Sequence, residues 1–233
     1  QEGLMTIAEF KEKGCYKTQR AIGDKISYIP WQAFYEDPEA NPLPTASGKF
    51  EIYCETLAAV VNSCGFSNLS PIGKWQANPD QGAGAQTDEF PLLLWTPHSL
   101  RRAHTVNDSV TSLREAFPQE CFMSTVDAEA RGIANGDLVL MTSPHGQVLR
   151  PAKVMPTIVP GAVALQDGAW IQIDPETGID LGGDPNILQA PASSGGGSQS
   201  WTGTIVQVEK YTGDIELLPD KHRPIVMPVG IED

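Results

Sequence analysis

The sequence predicts a mainly β protein with short helices, closed into a barrel rather than opened as an α/β sheet. Three observations predict it. Apolar runs are short, roughly four to eight residues, which suits strands better than long helices. Gly (22) and Pro (19) are frequent among the 233 residues, which means many turns. From Phe90 onward, short apolar segments alternate with glycine turns at close intervals, and only brief helical patterns interrupt them.

The elements follow in order. Thr6 and Glu9 form a capping box for a first helix, and Gly14 supplies its stop. Tyr28 to Trp31 and the turn-rich EDPEANPLPTASG stretch are irregular. Lys49 to Tyr53 alternates polar and apolar and reads as a strand. Glu55 to Asn62 reads as a helix with Gly65 as its cap, and residues 67–89 as a connecting loop. A boundary falls near Asp88, making 1–88 a mixed α/β segment before the barrel.

Phe90 to Trp95 is a buried strand, Leu113 to Phe117 a helical turn, and Cys121 to Met123 a short strand. Ser124 or Thr125 caps a helix whose first turn carries Asp127 and Glu129, where the helix dipole favours acids, and Gly132 ends it. Asn135-Gly136-Asp137 turns into a strand reaching Thr142, which pairs as a hairpin with Gln147 to Val154. Val159-Pro160-Gly161 leads to a strand from Ala162 to Gln166. Residues 174–200 form a long Gly/Pro/Ser loop, within which Ser194 to Ser200 is either a flexible tip or a strap. Gly203 to Glu209 is the last strand, and residues 212–233 an acidic tail.

Composition excludes several functions. A formal net charge of -13 argues against nucleic acid as the partner, because phosphate backbones need a basic face. No apolar run approaches the roughly 18 residues of a membrane helix, so direct insertion is not expected. Cys15, Cys54, Cys64 and Cys121 match no zinc or iron-sulfur spacing and read as buried thiols, with a disulfide left open. The chain starts at Gln1 and enters a helix almost at once, which reads as an excised piece of a longer protein or a processed mature chain. An apolar surface near Trp31, Phe34 and Tyr35 and a tendency to self-associate are expected of such a piece.

The chemistry concentrates where the first barrel strand runs into Thr96, His98, Ser99, Arg101, Arg102, His104 and Thr105. Guanidinium forks, imidazoles and hydroxyls at a strand mouth suit an anionic, polar ligand. Being adjacent, Arg101 and Arg102 should point different ways, with one reaching the ligand. Two histidines and a carboxylate could suggest a metal, but the i, i+6 spacing of His98 and His104 fits no helical zinc pair, so no metal ligand is expected. His145 and His222 read as surface residues, and Trp170 as core.

Three ordered blocks from about Phe90 to Lys210 resemble the C-terminal molybdopterin-dinucleotide-binding domain of the dimethyl sulfoxide reductase family. The first is Thr96, His98, Arg102, His104 and Thr105 after an apolar strand. The second is Asp127-Ala128, Arg131-Gly132-Ile133 and Gly136-Asp137-Leu138-Val139, with Pro160-Gly161 beyond. The third is Trp170, Gly182-Gly183 and Asn186-Ile187-Leu188 before a closing strand. Pro44 to Glu51 is similar to the stretch that ends the family's catalytic region.

The resemblance implies a six-stranded double-psi β-barrel over residues 89–211, of the aspartate-decarboxylase-like kind. It implies a molybdenum bis(molybdopterin guanine dinucleotide) oxidoreductase as the intact parent, with two dinucleotides per chain and an iron-sulfur cluster only upstream. The GGDPNIL block and the VQVEK ending are similar to the anaerobic dimethyl sulfoxide reductases more than to formate dehydrogenase or nitrate reductase. Partners would be the upstream domains, an iron-sulfur electron-transfer subunit and a membrane anchor subunit, at the periplasmic or extracytoplasmic face.

Cofactor contacts are then expected from Thr96, His98, Ser99, Arg102, His104, Thr105, Asp180, Gly183 and Asn186, with Gly182 and Gly183 allowing close backbone approach. No residue here matches the family's metal-ligand motif, so the piece alone is not expected to be active. The competing readings are a barrel acting as a protein-binding module, the same domain of another family member such as polysulfide reductase, and a self-sufficient barrel enzyme. The last would need a Gly-Ser at a strand end, and Gly197-Ser198 lies in a loop instead.

Overall fold

Every strand expected from Leu92 onward is paired, and together the strands close on themselves. In the computed structural model, residues 5–17, 21–23, 27–64, 70–73, 80–189 and 203–222 are described. By contact they fall into two units, Gln1–Cys54 and Glu55–Asp233. The strands are β1 (Leu92–Trp95), β2 (Cys121–Ser124), β3 (Leu138–Thr142), β4 (Gln147–Met155), β5 (Ala162–Leu165) and β6 (Thr204–Lys210). They form a closed barrel in the order β1-β5-β2-β4-β3-β6, the double-psi barrel expected.

Two pairings are parallel, β1 with β5 (Leu93 opposite Ala162) and β2 with β4 (Cys121 opposite Ala152). The other four are antiparallel. Closure leaves no edge strand among the described residues, so each strand is flanked by two others. Leu92, Leu94, Met123, Val139, Met141, Val148, Val163, Leu165, Val206 and Val208 fill the interior, each fully buried or nearly so.

Helices cover the joints. Ser124 caps α5 (Thr125–Ala130) by accepting the Asp127 N–H, and Asp127 in turn accepts the Gly161 N–H at 2.8 Å. α4 (Thr111–Ala116) overlaps the turn expected at Leu113 to Phe117 but starts two residues earlier, and the GGDPNIL block becomes a 3-10 turn at Pro185–Leu188. In the same unit, α3 spans Glu55–Cys64. In the N-terminal unit, α1 (Ile7–Lys13) has the full capping box, and its hydrogen bonds from Thr6 hold the Glu9 carboxyl below its usual range. Gly14, at φ 71, returns its N–H to Phe10.

Three expectations change. Lys49 to Tyr53 is no strand: Phe50, Ile52 and Tyr53 are exposed, and Thr45 donates to the Lys49 carbonyl at 2.7 Å to make a turn instead. A short helix, α2 (Gln32–Glu36), forms where no regular element was expected, entered through Trp31 at φ 60. The cysteines are not uniformly buried: Cys15 is exposed, Cys54 half-buried and Cys121 fully buried, all as free thiols.

Burial pushes the Cys121 thiol up to about 12. A maleimide is therefore expected to label Cys15 within minutes at neutral pH and Cys121 only after denaturant is added. Tryptic mass mapping with and without urea reads the difference. Trp31 and Tyr35 are exposed as expected, and Phe34 packs edge-on against Phe50 with centroids 5.6 Å apart. Gly65 and residues 194–200 lie outside the described residues. Among the described residues, no helix is long and apolar enough to cross a membrane.

Candidate functional site

Strand pairing decides what meets at the barrel rim. Because β1 and β5 run parallel, with Trp95 opposite Ala164, both leave the barrel on the same side. The loop from Thr96 to Asp108 therefore emerges beside Gln166 to Trp170. β2 runs antiparallel to β5 and parallel to β4, so Gln119 and Arg150 enter at that rim too.

Beneath the rim lies a buried charge network. Arg101 and Arg102 do not point different ways. Both donate to Asp108 Oδ1 at 2.9 Å, because the turn linking Ala103 and Val106 folds the loop back on itself. Arg102 also donates to Gln119 Oε1 at 2.8 Å and to the Asp167 carbonyl through Nε at 3.0 Å and Nη2 at 2.8 Å. Its guanidinium is wholly buried, so the fork expected to grip a phosphate grips the protein instead. Arg114 donates to the Asp108 carbonyl, and the Trp170 N–H reaches Asp108 Oδ2 at 3.1 Å.

The second half of the network was not legible as a site. Arg150 stands mid-strand in apolar β4 and donates to the carbonyls of Gln119 (2.8 Å) and Leu181 (2.7 Å) and to Asp220 Oδ1 (2.8 Å). Asp220, from the stretch read as an acidic tail, also pairs with Arg101 at 3.0 Å and accepts the Gln119 N–H at 2.9 Å. Gln119 Nε2 donates to the Gln166 and Gly183 carbonyls, so one amide joins the Arg102, Gln166 and Gly183 segments. A charged residue inside an apolar strand was the one available signal for Arg150. Nothing local distinguishes Gln119 or Asp220.

Asp180, expected among the cofactor contacts, faces inward. Fully buried, its carboxylate accepts the backbone N–H groups of Gln172, Gly182, Gly183 and Asp184 at 2.7–2.9 Å. It shapes the glycine turn. Gly183, at φ 89, is glycine for internal packing: a Cβ there would lie 2.6 Å from Gln119 Cγ and 3.0 Å from Arg150 Cδ. That differs from the expected approach to a ligand.

Asp184 caps the 3-10 turn by accepting the Asn186 N–H at 3.0 Å, and burial raises its pKa to about 6. The folded state therefore holds this proton more tightly than the unfolded chain does. Stability is expected to fall as pH rises from about 4 to about 6 and to level off above. Asp184→Asn, which keeps a capping oxygen, should flatten that decline and raise the urea midpoint at neutral pH. An identical pH profile in the variant would refute the assignment.

The exposed side of the rim is smaller than the sequence suggests. Thr96 is half-buried, and Ser99 is buried with its hydroxyl accepting the Arg101 N–H at 3.3 Å. His98, His104, Thr105 and Asn186 are exposed. The two imidazoles pack edge-on with centroids 5.0 Å apart. Asp167, which the sequence did not single out, stands 3.9 Å from His98 Nε2 and 3.5 Å from His104 Nδ1. Trp170 is half-buried rather than core, and its indole N–H donates to the Thr105 carbonyl at 2.8 Å. His145, 3.2 Å from Asp80, and His222 are both exposed.

Residues 92–200, which enclose this rim, match the family described as Molydopterin dinucleotide binding domain. The chain carries a molydopterin dinucleotide binding domain. Over 89% of its length it is 36% identical to dimethyl sulfoxide reductase DmsA of Escherichia coli strain K12, covering 25% of that protein. It is 32% identical over 88% of its length to the trimethylamine-N-oxide reductase of Salmonella typhimurium, again covering 25%. The chain thus spans about a quarter of the length of these relatives. Among solved structures, acetylene hydratase from Pelobacter acetylenicus superposes with a TM-score of 0.58 at 19% identity, over 75% of this chain and 25% of that one. That likeness shows the fold alone.

Proposed function

We propose that this dinucleotide-binding domain serves a molybdenum bis(molybdopterin guanine dinucleotide) oxidoreductase that reduces an S- or N-oxide. The observation that carries the reading is that the family match at 92–200 encloses every candidate contact, from Thr96 to Asn186. The donor set fits a dinucleotide. His98 and His104 can each donate and accept, Thr105 offers a hydroxyl, and Asn186 offers a two-pronged amide. Arg102, Asp180 and Gly183 act one layer below, holding the loops that present these groups. When bound, the cofactor supplies the metal at which oxygen atoms and electrons are exchanged. The chain's own work is to bind and orient it: the buried network fixes three loops so that few side chains need ordering on binding.

The relatives' names supply the substrate class, and the finer parts of the reading follow the family. These are two dinucleotides per parent chain, an iron-sulfur cluster upstream, electron-transfer and membrane-anchor subunits, and an exported location. The test is made on the full-length parent protein, purified without oxygen. Metal content by mass spectrometry and GMP released by acid should give about one molybdenum and two GMP per chain. His104→Ala with Asn186→Ala should lower the GMP content. A parent with neither molybdenum nor GMP would overturn the reading.

A further inference from the structure

The geometry points to a binding site for a first-row divalent cation, of the zinc or nickel class, at His98, His104 and Asp167. The ligand atoms of the three residues all lie within 4.8 Å of one another. Asp167 Oδ2 is 3.5 Å from His104 Nδ1 and 3.9 Å from His98 Nε2. Neighbouring ligands around a tetrahedral zinc with bonds near 2.0–2.1 Å stand about 3.3–3.4 Å apart. Closing the site therefore needs sub-ångström adjustments at two contacts and a modest swing at the third. Both imidazoles are free to make them, with side chains 78% and 76% exposed.

The backbone carrying these groups is already fixed. The Asp167 N–H donates to the Pro97 carbonyl at 3.0 Å, next to His98 in the chain, and its own carbonyl takes two bonds from buried Arg102. His104 sits in the left-handed region at φ 53, with its carbonyl packed directly against Gly168. A histidine held there stores backbone strain, a feature that clusters at functional sites.

A second observation points the same way. Asp167 Oδ1 is buried and, among the described residues, has no hydrogen-bond partner. A buried carboxylate oxygen left so needs an explanation, and an ion held by this carboxylate is one. Two imidazoles and one carboxylate suit zinc, nickel or cobalt rather than calcium or magnesium. With three protein ligands, the open face would keep solvent or a further ligand on the ion.

His98 and His104 are also offered to the dinucleotide, so the cation takes this site in the cofactor-free chain, and its readout is separate from the GMP content of the parent. Titrating the 233-residue chain with cobalt(II) should raise visible d–d absorption that saturates at one equivalent and is displaced by zinc. His98→Ala, His104→Ala and Asp167→Asn should each weaken binding tenfold or more. His145→Ala, at the separate Asp80 pair, should leave it unchanged. An equal thermal midpoint in each variant excludes unfolding as the cause. No absorption at millimolar cobalt, affinity unmoved by the three substitutions, or a thiolate-to-cobalt band marking a cysteine site would each overturn the proposal.

Discussion

Asp108→Ala is expected to lower the free energy of unfolding by about 3–5 kcal/mol, because removing one partner of a buried ion pair strands the other charge away from water. Here the stranded partners are several. Arg101 and Arg102 share its Oδ1, Arg114 reaches it at 3.6 Å, and Trp170 donates to it from the chain beyond β5. Arg101 retains Asp220, and Arg102 keeps its hydrogen bonds to Gln119 and to the Asp167 carbonyl. Asp108→Asn keeps one acceptor oxygen and loses the charge, so its cost should fall between those of wild type and alanine. Urea unfolding followed by tryptophan fluorescence measures all three. A loss below about 1 kcal/mol for the alanine variant would mean that water reaches the network and screens it.

Gly168→Ala is the second large effect. A Cβ at this position would lie 1.8 Å from the His104 carbonyl oxygen and 2.3 Å from its carbon, both backbone atoms. The residue also sits at φ 79, where an L side chain adds strain. Neither obstacle can be met by rotating a side chain, so one of the two loops must move. The cost is roughly 3–5 kcal/mol if strain and overpacking add. The displacement should also be visible as altered chemical shifts for His98 and His104. Gly178→Ala is the matched control: φ is 74, but nothing lies within 4 Å of its Cβ. It should cost far less. Equal effects at the two glycines would show that backbone strain alone, without the contact to His104, sets the cost.

Elements with their own local signature were legible. Apolar runs and the glycine turns between them located all six barrel strands to within a residue or two, and of the two caps the sequence offered for the next helix, Ser124 and Thr125, Ser124 is the one used. Lys49 to Tyr53 misled because alternation names a strand only when another strand lies beside it. In the site, His98 and His104 were readable as chemistry. Asp167 was not, since its place comes from the parallel pairing of β1 and β5, a relation between distant segments. The arginines were legible as charges but not as buried ones. Their depth depends on Asp108 and Asp220, and an acidic residue near a chain end looks like any solvated carboxylate.

The dependence on Asp220 has a consequence for how the chain is made. Synthesis releases the N-terminal side first, so β1 to β5 emerge before β6 at 204–210, and Asp220 emerges later still. Until β6 arrives, β1 and β3 each show an unpaired flank able to pair with a neighbouring chain. Until residue 220 clears the ribosome, Arg150 lacks its 2.8 Å pairing with Asp220. Closure of this barrel is thus tied to synthesis past residue 220. A translational pause before that residue would prolong the period in which the nascent chain needs a chaperone.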